Sequence, residues 1–148
     1  MKLQHLLAFD CTECAVEGSS KKRILEKISV IAAKKFTDIS QQDLLNSLIT
    51  REKMGSTGIG HGIAIPHGRL INATNAVAVL ITSKQPIQFD AIDNQPVDIF
   101  VALFVPEESC KQHLSTLASI AEFFSDKLNC KKVRACTTRE QLYQLVCQ

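Results

Sequence analysis

Residues 55–69 read GSTGIGHGIAIPHGR. Five of the chain's six glycines and two of its four histidines fall between residues 55 and 68. Glycine gives up side-chain packing and raises the entropy cost of ordering the backbone, so such a cluster indicates tight turns or a ligand held against main-chain N–H groups. The stretch therefore predicts a loop that binds something small and anionic.

The second half of this stretch predicts a short strand. Apolar and small residues alternate over residues 63–66, which is typical of a half-buried strand. Pro66 lacks an N–H and belongs at a strand end, which leaves His67 just beyond the ladder, rigidly held yet reachable. His67 alone could be an ordinary loop histidine, but the cations Arg51 and Arg69 lie close in sequence and favour a functional role.

A known family carries these features. The glycine-rich stretch, the preceding Arg51-Glu52 pair and the run FDAIDNQPVDIFVALFVPEESCKQHLSTLA at residues 89–118 closely resemble the mannitol- and fructose-type IIA proteins of the bacterial phosphoenolpyruvate phosphotransferase system. The likeness covers nearly the whole chain and is strongest to the nitrogen-regulatory branch. One departure is His61, at a position that is usually Asn in the motif.

Phosphoryl transfer onto an imidazole fits these residues. A neutral ring nitrogen is a good nucleophile near pH 7, and the N–P bond that it forms stays reactive. We expect His67 to be the phospho-acceptor, through its Nε2 (tele) nitrogen. The resemblance implies that Arg51 and His113 assist it. The phosphoryl oxygens are expected to be bound by the loop residues Gly55, Ser56, Thr57, Gly58 and Gly60.

The expected phosphoryl donor is a protein. No GxxxxGK[ST] run is present to cradle a nucleotide, and the resemblance implies the histidine-containing carrier NPr or HPr, with no cofactor and no metal. Two functions remain open within the family. A regulatory IIA protein controls targets such as potassium-transport or sensor-kinase proteins through its phosphorylation state, whereas a sugar-specific one passes the phosphoryl group to a IIB domain for fructose or mannitol uptake.

Two rival classes are weaker. A metal hydrolase could use His61, His67 and His113, but an extended segment would place the first two roughly 20 Å apart, too far to share an ion. A dinucleotide-binding module could be read from the glycines, yet here they precede a strand, whereas that fingerprint follows one.

Composition bounds the remaining possibilities. The 148 residues suit a single domain spanning 1–148. A net charge of +2, with no Trp and one Tyr, argues against nucleic-acid binding. No apolar run is long enough for a membrane helix or a secretory signal, so we expect no membrane insertion and a cytoplasmic location. The Cys11/Cys14 C-x-x-C pair is interpreted as structural thiols, because further ligands at zinc spacing are missing.

The coarse pattern predicts an α/β fold of three layers, with a mixed central sheet of about five strands and helices on both faces. Residues 1–18 are expected to be irregular or a short strand, and residues 127–134 a basic segment. Asp90 and Asp93 are expected to serve turns. Predicted strands cover residues 63–66, 76–83 and 97–105, and predicted helices cover 20–36, 40 to about 54, 110–125 and 138–146. The third helix is expected to turn Leu114, Leu117, Ala118, Ala121 and Phe124 inward, with His113 beside that face.

Overall fold

A mixed sheet with helices on both faces forms the molecule in the computed structural model, which describes residues 3–147. Residues 1–2 and 148 of the predicted domain lie outside the described residues. The strands are β1 (Leu7–Val16), β2 (Gly58–Gly60), β3 (Ile63–Ala64), β4 (His67–Leu70), β5 (Val77–Ile87) and β6 (Val97–Pro106). The helices are α1 (Lys21–Ala33), α2 (Gln41–Glu52), α3 (Leu114–Ser125), α4 (Lys127–Ala135) and α5 (Arg139–Cys147), with 3-10 helices at Leu3–His5 and Glu107–His113.

Strand β6 is the centre of the sheet and is buried along its length except at Asp98. It pairs antiparallel with β5 on one side and parallel with both β3 and β4 on the other. β1 runs parallel to β5 at one edge, and β2 runs antiparallel to β3 at the other. Since β3 and β4 follow one another along β6, the sheet is five strands wide. The predicted three-layer α/β architecture is confirmed.

The two cysteine side chains of β1 contact different helical layers, one on each face of the sheet. Cys11 Sγ lies 4.0 Å from the carbonyl oxygen of Ile31 in α1. Cys14 Sγ lies 3.3 Å from the carbonyl oxygen of Thr138, which precedes α5. The C-x-x-C pair is therefore split between two faces of the sheet, where its members are small packing residues.

The predicted starts of the first two helices are confirmed by their caps. The Ser20 hydroxyl accepts a hydrogen bond from the amide of Arg23 at 3.2 Å, and Ser40 accepts one from Asp43 at 3.1 Å. Each cap satisfies one of the amides that the first helical turn leaves without a partner. Helix α1 ends at Ala33, earlier than the predicted Phe36, although its apolar face is buried as expected.

The strand predicted over residues 63–66 is wrong in its extent. β3 contains only two residues, and the chain interrupts the ladder at Pro66, which has no N–H to donate. The Pro66 carbonyl still accepts a hydrogen bond from the Leu103 amide at 2.9 Å, so the chain rejoins β6 immediately. His67 is consequently the first residue of β4, paired with Leu103, and does not lie beyond the ladder.

Two other elements differ from the prediction. Residues 7–16 form a ten-residue edge strand where an irregular or short-strand segment was expected. Its register shifts twice against β5, which disrupts the alternation that would reveal a strand in the sequence. The basic segment is helix α4, capped by the Asp126 carboxylate, which accepts from the Leu128 amide at 2.8 Å. No helix within residues 3–147 has both the length and the hydropathy to cross a bilayer.

The third helix begins later and faces differently from the prediction. Residues 107–113 form a 3-10 helix, and α3 begins at Leu114. The buried stripe of α3 consists of Thr116, Ile120 and Phe124, and buried His113 continues it toward the N-terminus. The predicted inward face is confirmed at Phe124, and Leu117 and Ala121 are half-buried against the core. It is wrong for Ala118, which is exposed, and for Leu114, which is 60% exposed.

Candidate functional site

Helix α2 packs on β4 at a glycine, and this contact places Arg51. A Cβ at Gly68 would overlap the Ser47 hydroxyl oxygen and approach the Ser47 Cβ to 2.8 Å. Only a residue without a side chain allows the two backbones to come this close. Arg51 lies one turn after Ser47 on the same face of α2, so its guanidinium reaches the residue next to Gly68, which is His67.

The two ring nitrogens of His67 have different partners. Nδ1 lies 2.9 Å from the Ile65 carbonyl oxygen, and Nε2 lies 3.1 Å from Arg51 Nε. A carbonyl oxygen accepts only and a guanidinium donates only. Nδ1 therefore carries the proton, and Nε2 presents its lone pair to Arg51.

The surroundings keep the His67 ring neutral. Burial lowers the pKa of His67 from its ordinary value of 6.5, and the positive charge of Arg51 acts in the same direction. The bond from Nδ1 to the Ile65 carbonyl opposes this shift, but burial is the larger effect. An unprotonated Nε2 is the form of imidazole that can act as a nucleophile.

His113 lies in the 3-10 helix that follows β6. Leu70 at the end of β4 pairs with Pro106, directly before that helix, so β4 and the segment carrying His113 are neighbours. His113 is buried, and burial lowers its pKa. Among the described residues, no group forms a hydrogen bond with its Nδ1.

The cleft in front of His67 has a volume of about 730 Å³. Arg69 lies on the same side of β4 as His67, two residues along the strand, and both line the cleft. Cys110 and Leu114, three residues before His113 and one residue after it, also line the cleft, whereas His113 itself does not. The apolar part of the lining is formed by Ile39, Met54, Leu70, Ile71, Leu114 and Leu117.

Several donors of the glycine-rich loop predicted to bind phosphoryl oxygens are bonded within the protein, although the Thr57 hydroxyl oxygen is buried without a partner among the described residues. The Thr57 amide donates to both carboxylate oxygens of Glu52, at 3.2 and 3.0 Å, and the Gly58 amide donates to the Ser56 hydroxyl at 3.0 Å. That hydroxyl donates to the Phe89 carbonyl at 2.7 Å. Residues 55–60 do not line the cleft that contains His67.

Gly55 nevertheless touches the candidate site through its carbonyl group. Arg51 Nη1 donates to the Gly55 carbonyl at 2.9 Å while Arg51 Nε donates to His67. The guanidinium is thus fixed at two points, and Gly55 adopts φ 138°, a conformation that favours glycine. The hydrogen bond from Arg51 to Gly55 was not predicted, because nothing in the sequence pattern shows that the Gly55 carbonyl faces back to α2.

The other candidate residues lie elsewhere. His61 has φ 58°, and its amide donates to Asp93 Oδ2 at 3.0 Å. Asn adopts this left-handed conformation readily, so the Asn that the family resemblance implies at this position would fit the same turn. Asp93 also accepts from the Gln95 amide at 3.1 Å, which confirms its turn role. Within residues 3–147 no three His, Cys, Asp or Glu side chains are grouped to hold a metal ion.

Comparison with known proteins agrees with this fold. Residues 5–148 match the family model described as "Phosphoenolpyruvate-dependent sugar phosphotransferase system, EIIA 2". The chain is 48% identical over 147 residues to a nitrogen regulatory protein of Klebsiella oxytoca. This alignment covers 99% of this chain and 90% of the Klebsiella protein. The chain is 37% identical to the nitrogen regulatory protein of Pseudomonas aeruginosa, covering 99% of this chain and 95% of the relative.

A solved structure is also similar. The crystal structure of the nitrogen regulatory protein IIA-Ntr from Neisseria meningitidis superposes with a TM-score of 0.92 at 32% identity, covering 97% of this chain and 98% of that one. The chain therefore belongs to the EIIA 2 family of the phosphoenolpyruvate-dependent sugar phosphotransferase system, and it is similar to the nitrogen-regulatory IIA members of that family.

Proposed function

We propose that this chain is a regulatory phosphoryl carrier. It accepts a phosphoryl group on Nε2 of His67 from a phosphohistidine carrier protein of the NPr or HPr kind, and it controls target proteins through its phosphorylation state. The observation that carries the proposal is the neutral His67 ring, whose Nε2 lone pair faces the Arg51 guanidinium at 3.1 Å beside an open cleft.

The transfer step conserves atoms and electrons. The Nε2 lone pair of His67 attacks phosphorus, and the N–P bond to the donor imidazole breaks, returning its electron pair to the donor nitrogen. The Nδ1–H of His67 remains bonded to the Ile65 carbonyl, so the positive charge that develops on the ring is stabilised there. No nucleotide, metal or external proton donor is required.

Cations around the cleft suit the charge of the phosphoryl group. Arg51 occupies the Nε2 lone pair before transfer, so it must leave that nitrogen when phosphorus arrives, and it can then donate to the equatorial oxygens. Arg69 adds positive charge from the same face of β4. An assisting role for His113 rests on the family resemblance, because its Nδ1 is buried and His113 is not among the residues that line the cleft.

The cleft rim suits a protein donor. Met54, Ile71 and Leu114 line the cleft and are largely exposed, which favours burial against an apolar patch on another protein. Under this proposal the chain works in the cytoplasm, where it meets its carrier. Its regulated targets would include potassium-transport or sensor-kinase proteins.

A sugar-specific role is the alternative. The description of the matching family names the sugar phosphotransferase system, so onward transfer from His67 to a IIB domain is the second candidate. The extensive identity to nitrogen regulatory proteins favours regulation. Affinity capture with phosphorylated and unphosphorylated chain separates the two, because a IIB protein among the captured partners supports sugar uptake.

Labelling tests the acceptor. We expect His67→Ala to abolish transfer of radioactive phosphoryl from a phosphorylated carrier, because the nucleophile is gone. His113→Ala should retain labelling but slow turnover, because only a supporting donor is lost. His61→Ala is the matched control and should label at the wild-type rate. Equal labelling of the wild type and His67→Ala would overturn the proposal.

A further inference from the structure

Glu52 is a buried carboxylate next to Arg51 that the transfer step does not use. Its side chain is 6% exposed, and both oxygens accept from the Thr57 amide. Lys21 Nζ, from the first residue of α1, lies 2.9 Å from Glu52 Oε1. A charge so deeply buried is costly unless it is paired and hydrogen-bonded, and here it has both forms of compensation.

Lys21 is itself held in place. Its ammonium group lies 4.6 Å from the centroid of the Phe89 ring and 3.5 Å from the Phe89 carbonyl oxygen. That carbonyl also accepts from the Ser56 hydroxyl. The pair of Lys21 and Glu52 therefore joins α1, the end of α2 and the loop from Gly55 to Gly60 into one polar cluster.

The cluster helps to fix where the carbonyl of Gly55 lies. The Glu52 carboxylate accepts from the Thr57 amide, two residues beyond Gly55, and the Gly55 amide itself donates to the Glu52 carbonyl at 3.1 Å at the end of α2. The Gly55 carbonyl is the second anchor of the Arg51 guanidinium. A loop released at Thr57 would free this anchor, and Arg51 would sample rotamers that do not reach His67.

We infer that Glu52, neutralised by Lys21, is a positioning residue for phosphoryl transfer. It acts through Arg51, by fixing the loop whose Gly55 carbonyl holds the guanidinium beside His67, from where it can donate to the oxygens of the incoming phosphoryl group. The inference rests on the proposed function for its consequence in transfer, but the positioning itself is a property of the resting molecule. It assigns the loop a role in orientation in place of direct contact with phosphoryl oxygens.

A double-mutant cycle tests whether Glu52 acts through Arg51. Glu52→Gln keeps an acceptor for the Thr57 amide but removes the charge that Lys21 pairs with. We expect it to slow labelling of His67 at least tenfold, and to change the rate less than twofold when Arg51→Ala is already present. Equal slowing in both backgrounds would show an independent effect and overturn the inference.

Lys21 supplies a second variant and a matched control. Lys21→Met should reproduce the slowing, Lys21→Arg should restore most of the rate, and Lys22→Met, which changes an exposed neighbouring lysine, should label normally. Should Glu52→Gln fail to fold, the Lys21 series decides the question. Normal labelling of Lys21→Met would overturn the inference.

Hydrogen exchange of the Arg51 Nε–H gives a readout that needs no phosphoryl transfer. NMR should find this proton protected in the wild type and in Lys22→Met, and exchanging at least tenfold faster in Glu52→Gln and Lys21→Met. If the wild type takes no label, the proposed function fails, while the exchange rates still decide the role of Glu52. Unchanged exchange in both variants would contradict it.

Discussion

His67 is chemically asymmetric because its two nitrogens meet different parts of the chain. Ile65, just before Pro66, supplies the acceptor for Nδ1, and α2 supplies the donor for Nε2. The sequence predicted a reachable imidazole after a short strand, with Arg51 near it. The protonated nitrogen and the direction of the pKa shift depend on burial and on a helix packing across the strand, neither of which follows from local pattern.

The lowered pKa of His67 predicts a pH dependence. Since burial and Arg51 keep the ring neutral, an NMR titration should find its midpoint below 6.5, and acceptor capacity should persist as pH falls through 6.5. The Arg51→Ala variant should titrate at a higher pH than the wild type, because a neighbouring positive charge is removed. A wild-type midpoint at or above 6.5 would contradict this account.

The same shift affects stability. As pH falls below 6.5, the unfolded chain binds a proton on this residue before the folded chain does, so stability that is present above pH 6.5 is lost toward the lower folded pKa. The pKa of His113 is also lowered, so this residue likewise makes the folded state less stable as pH falls below 6.5. We expect His67→Gln to flatten the decline in the free energy of unfolding as pH falls below 6.5, measured by urea titration. An unchanged slope would be inconsistent with the buried neutral ring.

Helices and strands whose apolar residues follow a clear pattern were predictable from the sequence. Elements whose buried face mixes polar and apolar residues were not. The stripe of α1 and its Ser20 cap gave the helix directly, and the continuous apolar run of β6 gave a strand covered on both faces. Helix α3 misled the prediction because its buried stripe contains the polar Thr116, while Leu114 and Leu117 form a competing stripe that faces the cleft. The cleft explains the exposure of Leu114, whereas Leu117 both lines the cleft and packs against the core.

The close contact between α2 and β4 predicts how a substitution at Gly68 changes stability and labelling. Gly68→Ala would force α2 away from the strand at Ser47, so we expect a loss of about 1–3 kcal/mol in the free energy of unfolding. Labelling of His67 should slow as well, because Arg51 moves with the helix. Denaturant unfolding and labelling rates measure the two effects.

Gly18→Ala is the matched control for this substitution. An added Cβ at Gly18 would come within 3.1 Å of the flexible end of the Ile24 side chain, and its other neighbours would lie at 3.6 Å or more, which is ordinary contact. This variant should label at the wild-type rate. If Gly68→Ala is as stable and as active as Gly18→Ala, the close packing does not position Arg51.

At the scale of the whole molecule, the cleft forms where α2, β4 and the start of α3 meet. The family resemblance implied that His113 assists His67, and the structure makes β4 and the segment carrying His113 neighbours. The continuation of β3 into β4 along β6 was not predictable, because it depends on the chain resuming the ladder after Pro66.

The exposed rim of the cleft predicts a docking effect. Ile71 is 80% exposed and lines the cleft, so Ile71→Glu should leave the free energy of unfolding within about 0.5 kcal/mol of the wild type. We expect it to raise the KM for the phosphorylated carrier about tenfold or more, because a charge would be desolvated in the encounter. Initial labelling rates at several carrier concentrations measure this.

Ile92→Glu is the control for docking. Ile92 is 83% exposed, and it is absent from the lining of the cleft. Its substitution should leave the KM for the carrier unchanged. Equal effects of the two substitutions would argue that the carrier does not dock at the cleft.

The identity of the phosphorylated nitrogen tests the central claim most directly. In chain labelled with ¹⁵N at histidine and phosphorylated by a carrier protein, NMR should detect coupling between phosphorus and Nε2 of His67, with the proton retained on Nδ1. Phosphorus on Nδ1 of His67, or on any other histidine, would contradict the account.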